Sequence, residues 1–377
     1  MAAPRLDHRA RRFLGIAVRR FVGVARRRGA GVRVADARLI AVLFVAIVVA
    51  LLAPSRVAAQ PAWHNPVKVV ADSRFTVTAP GGAGEVPVYL SADWSHPLPN
   101  IKRAVIVVHG VGRDADGYLR SAEAARVAAG HAGEDTLLIV PQFLADIDVA
   151  TFHLPPLTLH WSTGGWSEGE PAHGPVPVSS FDVFDAILRH LADRALLPSL
   201  AHVVLAGHSA GGQVVQRYSI VGRGEATLAA RGLVLRYVVA NPSSYLYFSD
   251  DRPVPVDRAA CPHFDRWKYG LAGAPPYVGD TTDMEARFAA RQVIYLLGTA
   301  DLDPHQADLD MTCGGEAEGA YRLARGEAYF AYLQARHPGT LAQRVAVVPG
   351  VGHNEGKMFG SVCGLAALFD RPGCSAL

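Results

Sequence analysis

From residue 101 onward, short and wholly apolar runs alternate with longer segments of helical periodicity. The runs are Ala104–Val108, Leu137–Val140, Val203–Ala206, Val234–Ala240, Val293–Leu297 and Val345–Val348, most of them rich in Val, Ile and Leu. A strand with one wet face alternates apolar and polar side chains. Continuous apolarity instead marks a strand covered on both faces, as in a parallel sheet. Helical patterns fall between the runs, over Tyr118–Ala129, Phe181–Ala195, Gly212–Val221, Ala317–Arg336 and Met358–Phe369. This rhythm predicts a mostly parallel, doubly wound α/β fold. Before residue 101, Lys68–Val70, Phe75–Thr78 and Val86–Leu90 read as short strands broken by turns such as Pro80-Gly81-Gly82.

One stretch breaks the rhythm. Residues 241–283, after the strand ending near residue 240, hold several prolines and the aromatics Tyr245, Tyr247, Phe248, Phe264, Trp267, Tyr269 and Tyr277, with no clear period. So long an irregular segment reads as a lid or a binding loop, or as a surface insertion stapled by Cys261. Its apolar character suits an acyl chain or an aromatic acid. The loop Thr158–Pro177, with Trp161, Gly164, Gly165 and Trp166, is a second candidate wall for a cleft.

The N-terminal 59 residues form a different kind of segment. They carry 12 Arg and 2 Asp, and Leu39–Ala53 is an uninterrupted apolar run. Val57-Ala58-Ala59 supplies small residues ahead of Gln60, as a signal-peptidase site requires. Residues 1–59 are therefore expected to be a signal peptide, with a retained N-terminal anchor as the alternative. Only 17 uncharged residues separate Arg38 from Arg56, fewer than the ~20 of an ordinary span. Membrane contact is expected only through residues 39–53. The expected location is secreted or otherwise outside the cytoplasm, with residues 60–377 as the catalytic domain.

This division changes how the charge reads. The whole chain has a formal net charge of +3, but residues 60–377 hold 25 Lys and Arg against 32 Asp and Glu, a net −7. A mildly acidic body speaks against a nucleic-acid partner. All four cysteines, Cys261, Cys313, Cys363 and Cys374, follow the leader, and an even count in an exported chain favours two disulfides. Three pairings are open. Cys261–Cys313 with Cys363–Cys374 is preferred, because the second pair closes a short C-terminal loop. Neither a metal-ligand cluster nor a nucleotide-binding loop is visible, so no metal and no cofactor are expected.

The chemistry concentrates where apolar runs end. Val203–Ala206 runs into Gly207-His208-Ser209-Ala210-Gly211-Gly212 and then a helical pattern. In that strand–turn–helix setting a serine sits on a sharp turn with its hydroxyl exposed, and glycines two residues away on each side avoid clashes. Ser209 is the expected nucleophile. A serine hydroxyl needs a base to remove its proton. Val345–Val348 is followed by Pro349-Gly350-Val351-Gly352-His353, which makes His353 the expected base. The acid should follow the preceding strand. There, Gly298-Thr299-Ala300-Asp301 puts forward Asp301, with Asp303 as the other candidate. The one that is not catalytic should cap a turn before Pro304. The expected oxyanion donors are the N–H groups of Ala210 and of Val111, in the loop His109-Gly110-Val111-Gly112 after Ala104–Val108. Arg113 and Asp114, which follow, either orient this loop or form a solvated turn, the second role being preferred.

Together the Val-Val-His-Gly loop, the Gly-His-Ser-Ala-Gly-Gly turn, the Gly-x-x-Asp turn and the Pro-Gly-x-Gly-His end resemble the α/β-hydrolase superfamily over about residues 101–369. Within it, the chain looks most like exported, esterase-like members. The resemblance implies a Ser209–His353–Asp301 triad working through an acyl-enzyme. The substrate expected is a small-molecule, lipid or polymer carboxylic ester. A peptidase or amidase and an acyltransferase share that triad, and a non-catalytic binding protein on the same fold is the remaining alternative.

Overall fold

The computed structural model describes residues 62–377. The expected leader, with its apolar run 39–53, lies outside the described residues.

Eight strands form one sheet: β1 (Arg74–Ala79), β2 (Gly82–Leu90), β3 (Arg103–Val108), β4 (Thr136–Pro141), β5 (His202–His208), β6 (Val234–Ala240), β7 (Gln292–Gly298) and β8 (Arg344–Val348). Their spatial order is β1-β2-β4-β3-β5-β6-β7-β8. β1 pairs antiparallel with β2, and β2 with β4, while every pairing from β4 to β8 is parallel. All six apolar runs are strands of this sheet, and β4 is buried at every position. The reason is visible in β3. Ala104, Ile106 and Val108 face one hydrophobic core, while Val105 and Val107 face another on the opposite side. The principal helices are α1 (Ala115–Ala128), α2 (Ser180–Leu191), α3 (Ala210–Val221), α4 (Arg322–Arg336), α5 (Glu355–Gly360) and α6 (Val362–Phe369). Helices α2, α3 and α4 cover the first core, and α1, α5 and α6 the second.

Three expectations about elements change. Lys68–Val70 is not a strand. The backbone there bonds to side chains instead: Ala71 N–H donates to Gln142 Oε1 and Val69 C=O accepts from Gln142 Nε2. The helical pattern Met358–Phe369 is two helices, because Ser361 adopts an extended conformation and caps α6 through Gly364 N–H. The helix expected from Ala317 begins at Arg322.

Residues 241–283 are irregular, as expected, but their aromatic side chains are largely inward. Tyr245, Leu246 and Tyr247 belong to the first core, where Tyr245 stacks on Tyr329 of α4. The apolar character of this insertion is thus mostly committed to packing rather than to an acyl site. Cys261–Cys313 and Cys363–Cys374 are both paired, the first tying the insertion to residue 313. Among the described residues no helix is long and apolar enough to cross a membrane.

Candidate active site

Ser209 sits between β5 and α3 with φ 60° and ψ −125°. A non-glycine residue held there is strained, typically by about 1–3 kcal/mol, and persists only where its surroundings fix it. Two features fix it. Ser209 N–H donates to Ala240 C=O at the end of β6 (3.0 Å). The flanking glycines allow the chain to close around the turn: a Cβ on Gly207 would lie 2.1 Å from Gly211 O, and one on Gly211 2.2 Å from Val108 O. Ala210, next in sequence, opens α3.

Asp301 and His353 come from the loops after β7 and β8, which are adjacent parallel strands. Nδ1–H of His353 donates to Asp301 Oδ2 at 2.8 Å. Both side chains are sheltered, at 10% and 2% exposure. Several bonds stitch the two loops together. Ala300 N–H donates to Val351 C=O (2.9 Å), and Gly350 N–H to the Thr299 hydroxyl (2.8 Å). Asn241, at the end of β6, accepts from Gly298 N–H and donates to Gly352 C=O. Asp303 is exposed and accepts from His305 N–H two residues on, a turn-capping arrangement. His353 Nε2 has no hydrogen-bond partner among the described residues, and it lies on the same cleft as Ser209.

The loop after β3 lies against Ser209. A Cβ on Gly110 would stand 3.6 Å from Ser209 Cβ, and Val111 lines the cleft beside Ser209. His109 pins this loop from inside the core. Its Nε2 accepts from Phe143 N–H (2.9 Å), so Nδ1 carries the proton that goes to Gly110 C=O (2.8 Å). Burial pushes its pKa down to about 4, so it stays neutral in that role.

Arg113 overturns the solvated-turn expectation. It is fully buried with φ 57°, and its guanidinium pairs with Asp148 at 2.7 Å. It also donates to the carbonyls of Trp63, Asn65 and Val111. Asp148 accepts in addition from Val67 and Ala145 N–H, so this buried pair is well compensated.

Three further residues surround the His353–Asp301 pair. His208 packs beside it with ring centroids 4.5 Å apart. Burial, reinforced by His353 and Arg322, holds the His208 pKa well below the usual histidine range. Arg322, fully buried, has Nη1 3.7 Å from Asp301 Oδ1 and Nη2 3.3 Å from Asp308 Oδ1. Asp308 Oδ2 is in turn 3.6 Å from His353 Nε2. Motif reading missed Arg322 and Asp308, because both lie in stretches with no signature of their own.

Ser209 stands where two arms of a cleft meet. The larger, of about 590 Å³, runs past Asp114, Asp116, Asp308 and Glu355, with Lys68 and Arg120 as its cations. Desolvation, then the charges of Glu355 and Asp116, raise the Asp114 carboxyl to about 6. The smaller arm, of about 290 Å³, is lined by Ala210, Gln213, Ser243, Glu168, Lys268 and Asp310. Lys268 bridges Glu168 and Asp310 at 3.0 Å each. The loop 158–177 reaches this arm through Gly164, Ser167 and Glu168, while Trp161 and Trp166 are buried in the core. Among the described residues no group of His, Cys, Asp and Glu is arranged to hold a metal ion.

No protein-family model matches the chain, and no curated protein matches its sequence. Solved structures do match. Poly(aspartic acid) hydrolase-1 of Sphingomonas sp. KT-1 is 25% identical with a TM-score of 0.50, over 78% of this chain and 96% of that one. A poly(3-hydroxybutyrate) depolymerase of Bordetella parapertussis is 21% identical with a TM-score of 0.55, over 80% and 92%.

Proposed function

The chain has the α/β-hydrolase fold, and from that premise we propose that it is an exported serine hydrolase that cleaves carboxylic esters through an acyl-enzyme. One observation carries the reading: the hydrogen-bonded Asp301–His353 pair opens on the same cleft as Ser209, on its strained turn.

Each residue has a defined task. His353 Nε2 takes the proton of the Ser209 hydroxyl as Oγ forms a bond to the ester carbonyl carbon. The carbonyl π electrons move to oxygen, and the N–H groups of Val111 and Ala210 receive that negative charge. One such donor is typically worth ~3 kcal/mol in the transition state. Asp301 holds the imidazole with Nε2 free to accept, and stabilises the imidazolium. Collapse of the intermediate breaks the ester C–O bond, and the alcohol leaves with the proton from Nε2. Water then repeats the cycle on the acyl-enzyme and releases the acid.

The carboxylates of the larger arm outnumber its cations, so a polyanionic substrate is repelled and a neutral ester is favoured. The two disulfides support an oxidising location outside the cytoplasm. Turnover of a panel of p-nitrophenyl esters against peptide anilides tests the reaction class. Ester hydrolysis that is lost in Ser209→Ala is expected, whereas turnover of anilides alone contradicts the ester assignment.

A further inference from the structure

Trp63 lies far from every motif, yet it lines both arms of the Ser209 cleft. It shares this position with Val111, Ser209, Ala307 and Asp308. The segment that carries it is held in place by side chains rather than by the sheet. Trp63 C=O accepts from Arg113 Nη1 at 2.8 Å, Asn65 C=O from Arg113 Nη2 at 2.7 Å, and Val67 N–H donates to Asp148 at 2.8 Å. The same arginine donates to Val111 C=O, so one buried ion pair sets the strap and the Val111 loop together.

A tryptophan serving only as packing belongs to a core and bonds its indole N–H to a fixed partner. Trp63 does neither. It is part of neither hydrophobic core, its backbone rather than its indole makes the anchoring bonds, and Nε1 has no partner among the described residues. Around it the larger arm is rich in carboxylates, which bind no acyl chain. Trp63 is half-buried with its ring stacked on His64 (centroids 3.8 Å apart), and it lines the cleft where the two arms meet, as Ser209 does.

We propose that Trp63 is a specificity-determining residue of this cleft, its indole forming the apolar wall against which the acyl chain of a neutral ester packs. This rests on the serine-hydrolase reading of Ser209. It implies that selectivity for the acyl group is set largely by the strap at 63–67 rather than by the irregular insertion 241–283.

The test compares the wild-type chain with Trp63→Ala and Trp63→Phe on p-nitrophenyl acetate, butyrate and octanoate, alongside melting temperature. Loss of a large apolar contact is expected to raise KM for octanoate about tenfold in Trp63→Ala, with acetate turnover changed less than about twofold. The melting temperature should hold, and Trp63→Phe should recover most of the loss. An unchanged dependence on chain length in Trp63→Ala overturns the inference while leaving the hydrolase reading intact. An equal loss on all three esters together with a lowered melting temperature also overturns it, since that is a structural effect. Wild type that is folded but hydrolyses no ester overturns the ester reading, and the inference with it.

Discussion

Nδ1 of His353 lies 2.8 Å from Oδ2 of Asp301, a bond that joins loops 52 residues apart at the ends of two neighbouring parallel strands. That bond separates two aspartates that look alike in sequence. Asp301 is buried against the imidazole, while Asp303, two residues on, is exposed and occupied in its own turn. Asp301→Asn should therefore lower kcat by about 10³–10⁴-fold, because the imidazole loses its working tautomer. Asp303→Asn should stay within about twofold of wild type. Steady-state kinetics of the two variants decide the matter, and a collapse confined to Asp303→Asn reverses the assignment.

The turn at Ser209 tolerates no added methyl group at its flanks. In Gly211→Ala the new Cβ would sit 2.2 Å from Val108 O and 2.6 Å from His109 O, both backbone atoms. The loop carrying Val111 and the start of α3 must then move apart. A loss of kcat/KM of at least about 100-fold is expected, the size of losing one oxyanion donor. Near-native kinetics in this variant would show that the two segments are not the working surfaces.

Glu318 is fully buried, and its carboxylate oxygen accepts from Tyr245 N–H at 2.8 Å. Burial pushes its pKa up to about 8 from an ordinary 4.5. The folded state thus binds a proton that the unfolded chain releases between those values. Its contribution to stability falls as pH rises through that window, reaching its full penalty above about 8. Glu318→Gln removes the ionisation. Its melting temperature should match wild type near pH 5 and exceed it by a gap that widens towards about pH 9. Parallel melting curves across that range would contradict the assignment.

The two disulfides close loops of different length, with sequence separations of 52 and 11 residues. Restriction of the unfolded chain is worth about 4 kcal/mol for the longer loop and about 3 for the shorter. Cys261→Ser with Cys313→Ser should therefore lower the unfolding free energy more than Cys363→Ser with Cys374→Ser, as read by denaturant titration of the two variants beside the parent protein. The opposite order would mean that packing around α6 dominates.

The strands were legible because a parallel sheet buried on both faces imposes continuous apolarity, which needs no knowledge of the rest of the chain. Ser209, Asp301 and His353 stand out in the sequence as candidates because each follows such a run at a glycine-rich turn. Positions set by long-range pairing were not. Arg113 looked solvated because its partner Asp148 is 35 residues away. Arg322 carries no local signal, since its place beside Asp301 exists only once α4 packs beneath the β7 loop. The aromatics of the insertion suggested a binding surface, and hydrophobicity alone could not show that Tyr245 and Tyr247 turn into the core. Helix ends moved where capping prevailed over periodicity, as at Ser361.

The nucleophile is the centre of this account, and a fluorophosphonate probe reads it directly. Incubation of the folded protein with the probe, followed by peptide mapping, should find one adduct on Ser209, absent in Ser209→Ala and strongly slowed in His353→Ala. A folded preparation that stays unlabelled, or an adduct on another residue, would contradict it.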